Sequence, residues 1–342
     1  MAGRTTLVKP PDVDPTKAQI ENALELTDLS IIGPDIFTNT RELWHPPGAR
    51  GIYGGAVIAQ TLAAAQRTVP PDFVVHSFHC YFVLAGDSGV PILYHVERVR
   101  EGRSFCTRTV QARQRGKAIF TVTMSFTKEN SGGAQQVQHA AKMPADVRPP
   151  PDDYVEEQLG GGTSPFESYR IEVTDKDGPP ELKKTRQWVR ARGKISESGG
   201  HQAHLSALAY VSDSYFIGTV SRIHRLWRFP FKAEDLHKLS PEVRNHVVKL
   251  NEFEGSGSVE DMKGRPAIGM MVSLDHTIYF HNPKKVRADE WMFAEMESPW
   301  AGDGRGVVTQ RIFSKDGTLL ATCFQEGVVR LKQKKEPAQP KL

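Results

Sequence analysis

The chain has 342 residues, 39% of them hydrophobic and 25% charged, with a formal net charge of +4; that is the balance of a globular protein with enough length for two ordinary cores. No run of about 18 apolar residues is present, which excludes a membrane-spanning helix, and MAGRTTLVKPPDVDP lacks the apolar stretch of a secretory signal. No basic stripe interleaved with aromatics points to nucleic acid, and three scattered cysteines (Cys80, Cys106 and Cys323) without a CxxC pair exclude a disulfide framework or structural zinc and point to a reducing compartment.

Residues 1–22 are Pro-rich and read as a flexible N-terminus. In the segment 23–128 the regular pattern begins at GIYGGAVIAQTLAAAQRTVP. Small and apolar residues from Gly55 to Thr68 predict a buried helix, stopped by Pro70 and Pro71. FVVHSFHCYFVL, VPILYHVERV, RSFCTRTVQAR and KAIFTVTMSFT follow as β-branched and aromatic runs between the turns AGDSG, REG and QRGK, and predict four strands. Residues 129–182, with MPADVRPPPDD and LGGGTSP, are rich in breakers and read as a linker with one short helix.

The order repeats over 183–332. KTRQWVRARG predicts a strand, SGGHQAHLSALAYVSDSYF a helix that again opens on Gly-Gly, and MMVSLDHTIYFH, EWMFAEMES, GVVTQRIFS and TLLATCFQEGVVRL further strands. HSFHCYF resembles SLDHTIYF, and RGKAIFTVTMSF resembles KDGTLLATCFQE. Similar pieces in the same order argue for an internal duplication. A long buried helix followed by an antiparallel meander is an α+β layer, a sheet curled around a helix, and two such units can join edge to edge. The second carries an insertion, 231–264, in which SPEVRNHVVKL predicts a helix capped by Ser240 with Pro241 in its first turn. Residues 333–342 form a basic tail.

No GxSxG nucleophile elbow, no P-loop and no GxGxxG fingerprint occurs. Gly302-Asp303-Gly304 reads as a tight turn between strands. His76 and His79, three apart on a strand, are expected on opposite faces and so cannot chelate one metal; they read as structural hydrogen bonders, as do His276 and His281. No metal or cofactor is expected. Asp213 interrupts an apolar helix: either it ends the helix or faces solvent, or it is a carboxylate held in a dry site. Gln325 and Glu326 interrupt an apolar strand, so one points inward unless both sit at a bulge by Gly327.

At these residues the chain resembles the acyl-CoA thioesterase II family, which includes bacterial thioesterase II and the peroxisomal acyl-CoA thioesterases of eukaryotes. The stretches that carry the resemblance are GIYGGAVIAQTLAAA, VHSFHCYFVLAGD, PILYHVERVREGRSFCTR, YVSDSYF, VSLDHTIYFH, WMFAEMESPWAGDGRG and ATCFQEGVVR. The resemblance implies a double-hotdog α+β fold, two helix-wrapped antiparallel sheets joined in one chain, and hydrolysis of fatty acyl-CoA to free acid and CoA. It also implies a catalytic trio of carboxylate, hydroxyl and amide, which falls on Asp213, Ser273 and Gln325.

A thioester carbonyl is electrophilic enough for a positioned water, so no covalent acyl-enzyme is expected. Backbone N–H groups beside Gly54-Gly55 or Gly199-Gly200 are expected to hold the oxyanion. The first half lacks the trio, with Met124 near the place of Gln325 and Gln60 the polar residue deep in its helix, so one active site is expected, in the second half. The 231–264 insertion is expected to be a surface elaboration. Expected partners are acyl-CoA, a second copy of the chain in a homo-oligomer, and a peroxisomal import receptor through Pro340-Lys341-Leu342, which is similar to an SKL-type address. That places the chain in the peroxisomal matrix or otherwise in the cytoplasm. The competing readings are a hotdog enoyl-CoA hydratase or dehydratase, and a non-catalytic acyl-CoA-binding protein.

Overall fold

A computed structural model describes residues 5–46, 51–156, 164–255 and 258–333; the tail tripeptide Pro340-Lys341-Leu342 lies outside them. In chain order the first half contains α1 (Gln19–Ala23), β1 (Leu26–Asp28), β2 (Ile36–Asn39), α2 (Gly54–Gln66), β3 (Phe73–Phe82), β4 (Leu93–Glu101), β5 (Phe105–Gln114) and β6 (Lys117–Lys128). The second contains β7 (Phe166–Ile171), β8 (Lys184–Ala191), α3 (Gly200–Ser212), α4 (Gly218–Ile223), α5 (Pro241–Glu252), α6 (Val259–Met262), β9 (Ile268–Ser273), β10 (Asp275–Phe280), β11 (Met292–Gly302), β12 (Arg305–Ser314) and β13 (Leu319–Leu331).

These strands form one sheet in the order β1-β2-β4-β5-β6-β3-β10-β13-β12-β11-β8-β7, with β9 paired to β13 beside that path. The halves meet edge to edge where β3 pairs antiparallel with β10, His79 opposite Thr277. Each half thereby removes an exposed edge of the other. Helices α2 and α3 pack on each other inside the curl. Their small faces allow it: a Cβ on Gly55 would stand 2.3 Å from the Tyr210 carbonyl. The core joins both helices to the inner face of both halves, through Ile58, Leu62, Phe78, Val110, Leu208, Ile278 and Val308. This is the double-hotdog arrangement that the resemblance implies.

Several details depart from expectation. The Pro-rich start is anchored rather than loose at its end: Ala18 and Ile20 are buried, and the Glu21 carboxylate accepts from Ser196 N–H and Oγ–H at the mouth of α3. The breaker-rich stretch 129–182 contributes β7, and its Met143, Val147 and Tyr154 cover an apolar patch of Trp188, Phe293 and Phe313. His76 and His79 share one face of the sheet, because a bulge between Val75 and Ser77 shifts the phase of β3 by one residue. His76 bonds Ser125 and His79 bonds Thr277, two half-exposed residues.

MMVSLDHTIYFH, expected as one strand, breaks at Leu274 into β9 and β10. Leu274 N–H donates to the Glu326 carbonyl and its own carbonyl accepts from Phe82 N–H, so the break is itself hydrogen-bonded. Asp303 and Gly304, with φ of 49° and 69°, make the turn between β11 and β12 that their dipeptide predicts.

Candidate active site

The helices run so that the amino end of α2 meets the carboxyl end of α3. The Tyr53 hydroxyl donates to the Tyr210 carbonyl at 3.0 Å, and the two rings meet edge-on at 4.8 Å. Asp213 is the C-cap of α3. It therefore does end the helix, and it also turns its carboxylate into the junction. A Cβ on Gly54 would stand 2.8 Å from its Oδ2 and 2.8 Å from the Phe82 ring, so only glycine leaves room there.

The electrostatics of that junction are mixed. Burial pushes the Asp213 carboxyl up to about 6, against the pull of the Gln325 amide and the Gly55 backbone N–H, both of which favour the anion. The positive end of α2 adds to the same side. The neighbouring Tyr53 hydroxyl and Cys80 thiol are pushed up, first by burial and then by the nearby carboxylate.

Gln325 comes from the centre of β13 and is 1% exposed. Its Nε2 donates to Asp213 Oδ1 at 2.7 Å and faces His276 Nδ1 at 3.2 Å. A chain of hydrogen bonds fixes that orientation. Ser212 Oγ donates to the Ala209 carbonyl at 2.9 Å and stands 3.0 Å from His276 Nε2. With the Ser212 hydrogen used, the His276 proton sits on Nε2, and Nδ1 is free to accept from the amide. Burial drives the imidazole pKa down to about 3, so the ring is neutral. Gln325 Oε1 is buried without a hydrogen-bond partner among the described residues.

Ser273 ends β9 opposite Gly327 of β13. Asp213 and Ser273 line the same cavity of about 870 Å³, walled also by Val57, Phe82, Ile119, Met271 and Ser221. Gln325 does not line it; it stands behind the carboxylate. The expected trio is thus split: Asp213 and Gln325 are in contact, Ser273 shares the cavity wall, and His276 joins the group from outside the expectation. Gly54-Gly55 is the glycine pair at this site. Gly199-Gly200 instead faces Glu21, whose Oε1 would lie 2.5 Å from a Cβ on Gly199.

In the first half Gln60 Oε1 accepts from the buried Tyr94 hydroxyl at 2.5 Å, and Met124 is fully buried. The insertion is more than a surface elaboration. Its Leu236, Val247 and Met262 form a small core with Trp227 just before it, and its Leu250 forms part of the cavity wall. No cluster of His, Cys, Asp or Glu suited to a metal occurs among the described residues.

Comparison with known proteins gives the family. Residues 41–127 match the family profile of the acyl-CoA thioesterase N-terminal domain and residues 144–329 that of the acyl-CoA thioesterase C-terminal domain. Acyl-coenzyme A thioesterase 8 of Mus musculus is 37% identical over 315 residues, 85% of this chain and 84% of its own. Peroxisomal acyl-coenzyme A thioester hydrolase 1 of Saccharomyces cerevisiae is 26% identical over 91% of this chain and 94% of its own. Among solved structures, the acyl-CoA thioesterase II TesB2 of Mycobacterium marinum superimposes with a TM-score of 0.64 at 28% identity, covering 92% of this chain and 98% of that one. The chain belongs to the acyl-CoA thioesterase family.

Proposed function

We propose that this thioesterase cleaves fatty acyl-CoA by direct attack of one water, with Asp213 as general base, Ser273 as a second contact to the water and Gln325 as the group that sets the carboxylate. The supporting observation is the dry Asp213 carboxylate with Oδ1 taken by the Gln325 amide at 2.7 Å, on a cavity wall shared with Ser273. With Oδ1 occupied, Oδ2 is left for a water hydrogen. The Ser273 hydroxyl donates to one lone pair of that water, and the remaining lone pair is directed at the thioester carbon.

The water oxygen bonds to that carbon while Asp213 takes one proton. The resulting oxyanion lies against the first-turn N–H groups of α2, Gly54 foremost. Collapse breaks the C–S bond, and the departing thiolate recovers the proton from Asp213. Free acid and CoA thiol leave. The His276 ring holds the Gln325 amide with its nitrogen toward the carboxylate and touches neither substrate nor water.

The test is a single turnover in heavy-oxygen water followed by acid quench. One heavy oxygen in the released fatty acid and an unmodified protein mass are expected. A protein carrying the mass of the acyl group would replace this mechanism with a covalent one.

A peroxisomal address is proposed on the strength of the yeast relative, whose name carries that compartment. A fluorescent fusion at the N-terminus is expected to colocalise with peroxisomes, and the same fusion placed after Leu342 to stay in the cytosol; cytosolic fluorescence in both would reject the address.

A further inference from the structure

The two halves of the chain supply chemically unlike parts of the cavity wall. The part from the first half is apolar, with Val57, Phe82, Leu84 and Phe120. From the second half three guanidinium groups enter the wall, Arg170 from β7, Arg222 from α4 and Arg228 just after it. Arg228 has a carboxylate partner, the buried Glu254, at 2.7 Å. Among the described residues neither Arg170 nor Arg222 has an acidic partner. Arg222 Nη2 donates to the Tyr215 carbonyl at 2.8 Å, and both guanidinium groups stack on the Tyr215 ring, at 4.3 Å and 5.1 Å from its centre.

Tyr215 itself lies in the left-handed region, with φ of 60°, two residues after Asp213. A bulky residue held there costs on the order of 1–3 kcal/mol and persists only where its surroundings require it. The carbonyl that receives Arg222 and the ring that carries both guanidinium groups are such a requirement.

Three cations and one carboxylate leave a surplus of positive charge in a half-buried wall. Burial and the two neighbouring arginines push the Arg222 guanidinium down to about 9, a sign that the cluster lacks enough counter-charge. Planar guanidinium pairs match phosphate oxygens bidentately. We propose that Arg170 and Arg222, with the Glu254-paired Arg228 beside them, form the subsite for the phosphate groups of the CoA moiety. This rests on the thioesterase reading above and deepens it: the acyl chain lies against the apolar part of the wall, the thioester lies at Asp213, and the phosphates sit at the arginines.

The test compares one acyl group on two carriers. Wild type, Arg222→Gln and Arg170→Gln are assayed on an acyl-CoA and on the N-acetylcysteamine thioester of the same acid, which has no phosphate. For the variants, KM on acyl-CoA is expected to rise about tenfold or more, the loss of one charge-assisted contact. On the N-acetylcysteamine thioester kcat and KM are expected to stay within about twofold, because the phosphate-free carrier never meets the cluster.

Wild-type KM for acyl-CoA should also climb with ionic strength more steeply than that of either variant. Unchanged KM on acyl-CoA, or equal losses on both carriers, would overturn the phosphate assignment while leaving the hydrolase intact. Wild type inactive on both carriers would overturn the hydrolase reading and the subsite together. Because Arg222 is the more buried of the two, Arg170→Gln carries the test if Arg222→Gln fails to fold.

Discussion

Asp213→Asn is expected to lower kcat about 10²–10⁴-fold with little change in KM, the worth of a positioned general base. The asparagine Oδ1 can still accept from Gln325 Nε2, so the local hydrogen bond at 2.7 Å survives. What disappears is the proton acceptor. Steady-state thiol release across short, medium and long acyl-CoAs measures both constants, and turnover near that of wild type would end the assignment. A rise in KM with kcat preserved would instead mean that Asp213 binds substrate without activating water.

The same substitution has a stability signature. Folding raises the Asp213 carboxyl from 3.8 to about 6, so the folded state prefers the protonated form. Asp213 therefore imposes no penalty below about pH 3.8, and the penalty grows as pH rises through about 6. Above that it amounts to at most about 3 kcal/mol. Asn removes the buried charge but turns an amide donor toward the Gly55 N–H, so a smaller gain is expected. Asp213→Asn should be about 1–2 kcal/mol more stable than wild type at pH 8 and equal to it near pH 4. Denaturant unfolding at the two pH values measures this, and equal stability at both would mean that the carboxylate is not desolvated.

Much of the fold could be read from one-dimensional patterns. Helix α2 was legible because its residues are small and apolar on every side, and β3 to β6 because turn residues separate β-branched runs. The three-residue β1 and the strand β7 were not. Their burial comes from partners elsewhere in the chain, and a period cannot show in so few residues. Arg170 lay in a stretch read as linker and turned out to line the cavity.

The bulge at His76 and the break at Leu274 were hidden for the same reason: each is stabilised by hydrogen bonds to a neighbouring strand, not by local sequence. At the candidate site, Asp213 and Gln325 stood out as polar residues in apolar runs. His276 did not. A strand histidine next to an aspartate is unremarkable until the fold brings together Ser212, 64 positions away, and Gln325, 49 positions away.

Removing Gln325, or the His276 that holds it, is expected to move the acid limb of the pH profile. Wild-type kcat/KM should rise with pH through about 6, as the base loses its proton. The Gln325 amide favours the carboxylate anion, so Gln325→Leu raises the carboxyl further and shifts the limb upward; kcat at pH 8 should fall about 10²-fold from lost positioning. His276→Leu acts one step further back. Without the Nδ1 acceptor the amide is free to turn its oxygen toward the protonated carboxyl and accept from it, which favours the neutral acid and raises the carboxyl.

The expected result for His276→Leu is a limb displaced in the same direction as in Gln325→Leu, a kcat loss of about tenfold and an unchanged KM. His276→Asn, whose Oδ1 stands near the place of Nδ1, should restore most of both. A histidine that only filled the core would lose stability in the leucine variant without moving the limb, and asparagine would rescue nothing. The position of the limb therefore separates a residue that sets the catalytic base from one that merely packs beneath it.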